Sequence, residues 1–274
     1  MAVIVRPTPS PTPYPAVIGS FLRARRMVQR NMLVYRHSWI VIFSGFFEPL
    51  FYLLGIGYGL GTFVGDITMA GGQVVPYAVF VAPALLAQST MNGAISETIF
   101  NVFFKLNFEK IYDAVLATPL GVGDIALGEL MWAMIRATIY AVAFIAVMLV
   151  MGLLISPWAV LALPATLFCS LAFCAAGLAT TTYLRTVQDF DLPFGLVIMP
   201  MFLFSGTFFP ISIYPEWLQF LVQLTPLYHA VELLRALTTG AVEPTILAHI
   251  GYLAVFGSVA MVLARRRLAA KLVK

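Results

Sequence analysis

The sequence predicts an all-α integral membrane protein with six transmembrane helices, and three observations carry that expectation. Of its 274 residues, 61% are hydrophobic and only 10% charged, with a mean hydropathy of +0.94; soluble domains are nearer a quarter charged. Six apolar runs, at about 39–61, 75–96, 129–153, 158–183, 190–209 and 245–264, are each close to the ~20 residues a helix needs to cross a ~30 Å hydrocarbon core. The basic residues gather at the ends of these runs. The net charge of +4 therefore fits membrane orientation better than nucleic-acid binding.

Taken in order, residues 1–20 form a proline-rich tail: Pro7, Pro9, Pro11, Pro13 and Pro15 alternate with small polar and aromatic residues, a composition expected to stay extended and disordered. A transmembrane domain then fills 21–274. From Phe21 to Arg36 the spacing is helical and amphipathic. Ala24, Met27, Val28 and Met32 fall on one side, and Arg23, Arg25, Arg26 and Arg30 on the other. Such a helix is expected to lie in the membrane interface with its arginines toward anionic head groups.

Arg6 to Arg36 precede the first span, Lys105 and Lys110 lie between spans two and three, Arg185 lies between four and five, and Arg265, Arg266, Arg267, Lys271 and Lys274 follow the sixth. On the opposite side only Arg235 occurs in a loop. The positive-inside tendency puts both termini and the 105–129 loop in the cytosol. No cleavable signal peptide is apparent.

That loop, KLNFEKIYDAVLATPLGVGDIALGE, is the longest charged passage between apolar runs. One short helix is expected from Phe108 to Ala117, stopped at Thr118 and Pro119 because a residue before proline is pushed out of the helical region. Of the outer loops, 62–74 looks like a plain glycine-rich connector, whereas 210–244 is too apolar for a solvated loop. Glu216–Leu224 and Leu227–Leu237, broken at Thr225-Pro226, are expected to form a re-entrant pair of short helices buried against protein.

Hydrolytic and metal chemistry are not indicated. His37, His229 and His249 lack ligand spacing, and Cys169 and Cys174, about 140° apart on one helix, are expected to be small apolar fillers. The alternating glycines of GIGYGLG at 55–61 match neither a dinucleotide fingerprint nor a P-loop; they suit close packing or a loosened helix end. Any nucleotide energy must come from another chain.

Charges inside apolar runs are costly and hence informative. Glu48 and Arg136 fall at similar depths from the cytosolic face, which predicts a Glu48–Arg136 pair, or Arg136 reaching toward Glu129. Either fixes helix register or contacts cargo. On the outer side His229, Glu232 and Arg235 recur every three residues and could line a gate. Aromatic residues such as Phe46, Phe51, Phe202 and Phe208 would suit a greasy lateral pathway or simply face lipid.

Three segments, GFFEPLFYLLGIGYGLG at 45–61, YDAVLATPLGVGDIALGELMWA at 112–133 and LFSGTFFPISIYPEWLQFLVQLTPLYHAVELLR at 203–235, together resemble the membrane subunits of ABC-2 type exporters, most closely the nodulation-type lipo-oligosaccharide export branch. The resemblance covers essentially the whole chain. It implies a permease that pairs with a second permease, identical or a sibling, and docks ATPase subunits that bind the ATP and magnesium; this chain itself would hold no cofactor. Carried onto these residues, it makes Phe108, Glu109, Lys110, Tyr112, Asp113, Leu116, Thr118 and Pro119 the ATPase-coupling contact. The expected cargo is amphipathic, a lipid-linked saccharide first and a hydrophobic drug second. The rival classes are an ion-coupled secondary transporter, which would normally show internal repeats and midplane acids, and a lipid-modifying enzyme, which lacks a nucleophile here.

Overall fold

A computed structural model of the chain describes residues 16–35, 47–69 and 72–272. The N-terminal helix α1 spans Ala16–Tyr35, beginning five residues before the amphipathic pattern and directly after Pro15. Next, α2 (Phe47–Tyr52) widens into a π-helical stretch, Leu53–Leu60, and closes as α3 (Gly61–Val64). A small antiparallel hairpin of β1 (Asp66–Thr68) and β2 (Val74–Pro76) pairs Ile67 with Val75. It leads into α4 (Tyr77–Ser96), which continues through a π turn at Glu97–Asn101 into α5 (Val102–Asn107).

After the short α6 (Ile111–Leu116) come two long helices, α7 (Val122–Val150) and α8 (Ala162–Thr181). A second π stretch, Leu192–Ile198, runs into α9 (Met199–Phe204). The pair α10 (Glu216–Gln223) and α11 (Pro226–Thr239) precedes α12 (Ile246–Leu272).

Among the described residues, four helical stretches are long and apolar enough to cross a membrane: Tyr77–Asn107, Val122–Val150, Pro157–Thr181 and Ile246–Leu272. They correspond to expected spans two, three, four and six. The first span is described only from residue 47, and its apolar helical part, Leu50–Val64, is shorter. The fifth is broken into a 3₁₀ turn (Gln188–Phe190), the π stretch and α9. Pro193 and Pro200 remove backbone donors there, which explains why a run apolar enough to cross does not form one regular helix.

The core is built around α4. Its first half, Tyr77 to Ala87, is buried on every side against α8, α11, α7 and the first π stretch. By contrast α12 and α7 leave Val255, Val259, Ile139 and Val142 exposed, as helices that face lipid require. Cys169 and Cys174 are both free and buried, so the filler expectation for them agrees with the structure.

α1 docks on protein rather than merely lying on a membrane. Ala24, Met27, Val28 and Asn31 are buried against α7. The approach is close because Gly128 has no side chain: a Cβ there would lie 2.5 Å from Met27 Cβ. Met32, Leu33 and Val34 at its end remain exposed. Ala24, Met27 and Val28 of the predicted apolar face thus pack on protein, and the polar Asn31 is buried with them.

The bundle is electrically polar. At one end α1 meets the start of α7, where Arg23 Nε donates to Asp124 Oδ2 at 2.8 Å. Arg267 stacks on Tyr183 and Lys271 Nζ donates to the Leu184 carbonyl at the same end. The other end holds the β hairpin and α11, joined by Gln73 Nε2 to the Thr239 carbonyl.

Candidate functional site

The segment between α5 and α7 presents an exposed edge at the basic end. Phe108, Glu109, Lys110, Asp113, Thr118 and Pro119 are all exposed and Leu116 is half-buried. The helical part is shorter than the expected Phe108–Ala117. Lys110 sits at a left-handed φ of 49°, which sets α6 at an angle to α5, and Ala117 to Pro119 form a turn. Tyr112 corrects one expectation. It is 1% exposed, so it offers no surface to another protein. Burial first, then the nearby Glu129 carboxylate, pushes its phenol well above the usual tyrosine range.

Half of the charge in this cytosol-assigned loop is internal, set against partners rather than in water. Lys105, Asp124 and Glu129 are 6%, 4% and 2% exposed. Lys105 Nζ donates to Glu129 Oε2 at 2.8 Å and to Asn31 Oδ1 at 3.0 Å, while Asn31 Nδ2 donates back to Glu129 Oε2 at 3.2 Å. Asp124 accepts from Arg23 and from the Gly121 N–H at 3.0 Å, satisfying a donor at the start of α7. These pairs tie α1, α5 and α7 together directly beneath α6. The helical periodicity of 21–36 gives Asn31 no role, because its partners Lys105 and Glu129 are distant in sequence.

Deeper in, Arg136 pairs with a residue that the sequence reading left outside every span. Its guanidinium donates to Glu97 Oε2 and, at 3.0 Å, to the Tyr140 hydroxyl. Glu97 Oε1 also accepts from Trp132 Nε1 at 3.0 Å and Asn101 Nδ2 at 2.9 Å. Glu129, the other expected partner of Arg136, is engaged by Lys105. The Glu48 side chain lies outside the described residues. The reason for the miss is local: α4 does not end at residue 96 but widens into a π turn and continues, carrying Glu97 opposite Arg136. A polar period in the sequence, Gln88-Asn92-Ser96 and Ser89-Gly93-Glu97, marks that face of the helix. π turns often accompany functional sites. Here the face borders a half-open cavity of about 560 Å³, which Tyr52 and Arg136 close from α2 and α7.

On the opposite end, α10 and α11 break at Thr225-Pro226 as expected. Thr225 Oγ1 caps α11 by accepting from the Tyr228 N–H at 3.4 Å, and Pro226 occupies the first helical position. Within the three-residue spacing of His229, Glu232 and Arg235, a hydrogen bond joins Glu232 to Arg235, and His229 has other hydrogen-bond partners. Arg235 is 6% exposed, lies 3.9 Å over the Phe80 ring and donates to Glu232 Oε1 and to the Gly206 carbonyl, both at 2.6 Å. His229 instead stacks on Tyr252 and meets His249, Nδ1 to Nδ1 at 2.8 Å. Because its Nε2 lies 2.9 Å from the Gln223 carbonyl, that nitrogen carries the proton, and its Nδ1 accepts from His249. Arg235 pins the hairpin to α4; His229 pins it to α12.

An apolar bundle with one basic end and a charged segment projecting from that end has the make-up of a transporter's membrane subunit. The ABC-2 type transporter family model matches residues 24–238, and the chain belongs to that family. Nodulation protein J of Rhizobium leguminosarum bv. trifolii is 32% identical over 244 residues, 88% of this chain and 90% of that protein. Its counterpart in Neorhizobium galegae is 33% identical over 251 residues, 88% and 92% of the two chains. Inner membrane transport permease YadH of Escherichia coli (strain K12) is 24% identical over 206 residues, 75% and 78% of the two. The chain is thus an ABC-2 permease of the nodulation-type branch, and its family implies an ABC ATPase as partner.

Proposed function

We propose that this chain is the permease of an ATP-driven exporter of the cytoplasmic membrane that moves an amphipathic molecule outward, with a lipid-linked saccharide favoured over a hydrophobic drug. Two permeases and two ATPase subunits form the working unit. Six helical passes, with α10 and α11 re-entrant, leave both termini in the cytosol. ATP and magnesium are held by the ATPase, which pushes on the 108–119 segment.

The single observation that carries this reading is the construction beneath that segment. Its exposed edge sits on one buried and one half-buried ion pair that join α1, α5 and α7, so a force applied to α6 cannot remain local. A segment fixed in this way transmits displacement, whereas a free loop would absorb it. The resemblance of the whole chain to Nodulation protein J relatives supports the favoured cargo.

Inverted vesicles holding the permease with its ATPase test the reading. Uptake of a fluorescent glycolipid should require ATP and stop when the ATPase is omitted. Uptake driven by an ion gradient without the ATPase would sink it.

A further inference from the structure

Arg26 and Arg30 of α1 and Lys110 at the start of α6 border a groove of about 410 Å³ between the two helices. Among the described residues none of these three cations belongs to an ion pair. Arg26 reaches the Gln29 side chain at 3.2 Å. Arg30 is half-buried, and its Nη1 is buried without a hydrogen-bond partner, which is costly for a charged group unless a ligand or water supplies the acceptor. Arg23 of the same helix, by contrast, is held by Asp124.

The groove also has an apolar floor, made by Met27 of α1 and by Ile111, Ala114 and Val115 of α6. A small inorganic anion gains nothing from such a floor, whereas a glycerol backbone and the first methylenes of an acyl chain do. The level of the groove suits a lipid as well. α7 has 29 residues, about 43 Å at 1.5 Å per residue against a hydrocarbon core of ~30 Å, so its charged start stands among head groups. α1 lies along that start, with Met27 against Gly128 and Asn31 bonded to Glu129. Its last turn exposes Met32, Leu33 and Val34, as a helix at a membrane surface does. Glu109, exposed on the same rim, opposes an anion and belongs in the test.

We propose that the α1–α6 groove binds the phosphodiester head of an anionic membrane lipid, with its oxygens on Arg26, Arg30 and Lys110 and its glycerol on the apolar floor. Arginine forks and a lysine suit phosphate oxygens, and basic pockets at the cytoplasmic surface hold such lipids. The head-group contact that the sequence spreads over all the arginines of α1 thus narrows to two of them and gains Lys110 from another element. A lipid seated there joins α1 directly to α6, so membrane composition sets how firmly the exposed 108–119 edge is held. The site deepens the exporter reading and rests on it only for the leaflet, which is the cytosolic one.

Lipid binding needs neither ATP nor ATPase, which separates the two ideas. The full permease, purified alone in a non-ionic detergent, is titrated with phosphatidylglycerol, with phosphatidylcholine of the same acyl chains and with glycerol 1-phosphate, and bound molecules are counted by native mass spectrometry. Saturable phosphatidylglycerol binding, roughly tenfold or more tighter than either of the others, is the expected result. Arg26→Gln and Arg30→Gln should each weaken it about fivefold, the effect of one basic residue near a lipid surface, and Glu109→Gln should strengthen it. Arg25→Gln removes the same charge from an exposed position outside the groove and should leave affinity unchanged; size-exclusion elution verifies that each variant is folded. Equal weakening by Arg25→Gln overturns the site, because it would mean diffuse attraction to a basic surface. Equal affinity for phosphatidylcholine overturns it, as does glycerol 1-phosphate binding as tightly as the lipid. If no lipid binds while Arg26→Gln and Arg30→Gln cut co-purification of the ATPase, the groove is a protein contact and the lipid site falls. Should the lipid bind as expected while glycolipid uptake proceeds without the ATPase, the site stands and the exporter reading falls.

Discussion

Buried charge is this protein's structural currency at the level of single residues. Lys105, Asn31 and Glu129 satisfy one another out of water, and removing Lys105 or Glu129 leaves an uncompensated charge, which typically costs about 3–5 kcal/mol. Lys105→Ala should therefore lower thermal stability of the detergent-solubilised protein clearly. The double change Lys105→Met with Glu129→Leu should recover most of it, since apolar replacement of a buried pair is often neutral, while ATP-coupled transport stays impaired. Full transport by the stable double variant would show that the pair is not part of the force path. Gly128→Ala makes a second case. Its Cβ would overlap Met27, so overpacking of about 1–3 kcal/mol is expected, appearing as faster proteolysis of α1. Adding Met27→Ala should not reverse it, because alanine keeps the overlapping Cβ, whereas Met27→Gly should relieve it.

Between elements, what could be foreseen depended on whether the cue was local. The α10–α11 break follows from Thr225 and Pro226 alone, and α1 from its own periodicity, so both were legible. Glu97 was not, because a hydropathy window ends a span at its first acid and cannot see that Arg136 stands opposite. The irregular fifth span was hidden likewise: its composition is apolar, but Pro193 and Pro200 decide its backbone. For the coupling segment, exposure now separates surface from support. Asp113→Lys or Phe108→Ala should cut co-purification of the ATPase severalfold with insertion unchanged. Tyr112→Ala should act through stability instead, as loss of a buried aromatic typically costs about 3–5 kcal/mol. Undiminished complex yield in the Asp113 and Phe108 variants would remove the segment from the interface.

Over the whole molecule, the segregation of basic residues gives the orientation a direct test. A thiol placed by Asp66→Cys should react with an impermeant maleimide on intact cells, and one placed by Lys110→Cys only after permeabilisation. Native Cys169 and Cys174 are fully buried, so the background should be low. The reverse pattern would invert the topology. At the end of the molecule opposite the basic residues, Arg235 bridges α11 to the Phe80 and Gly206 carbonyls. Arg235→Met should loosen α10 and α11 together, measurable as faster amide exchange in both.

The wide turn at Glu97–Asn101 also has a bearing on heredity. One residue more or fewer there rotates everything that follows by about 100°, carrying Lys105 off Glu129 and Glu109 away from the cavity it lines in a single stroke. A one-codon deletion at this spot, though it barely alters composition, should be far more damaging than most missense changes nearby.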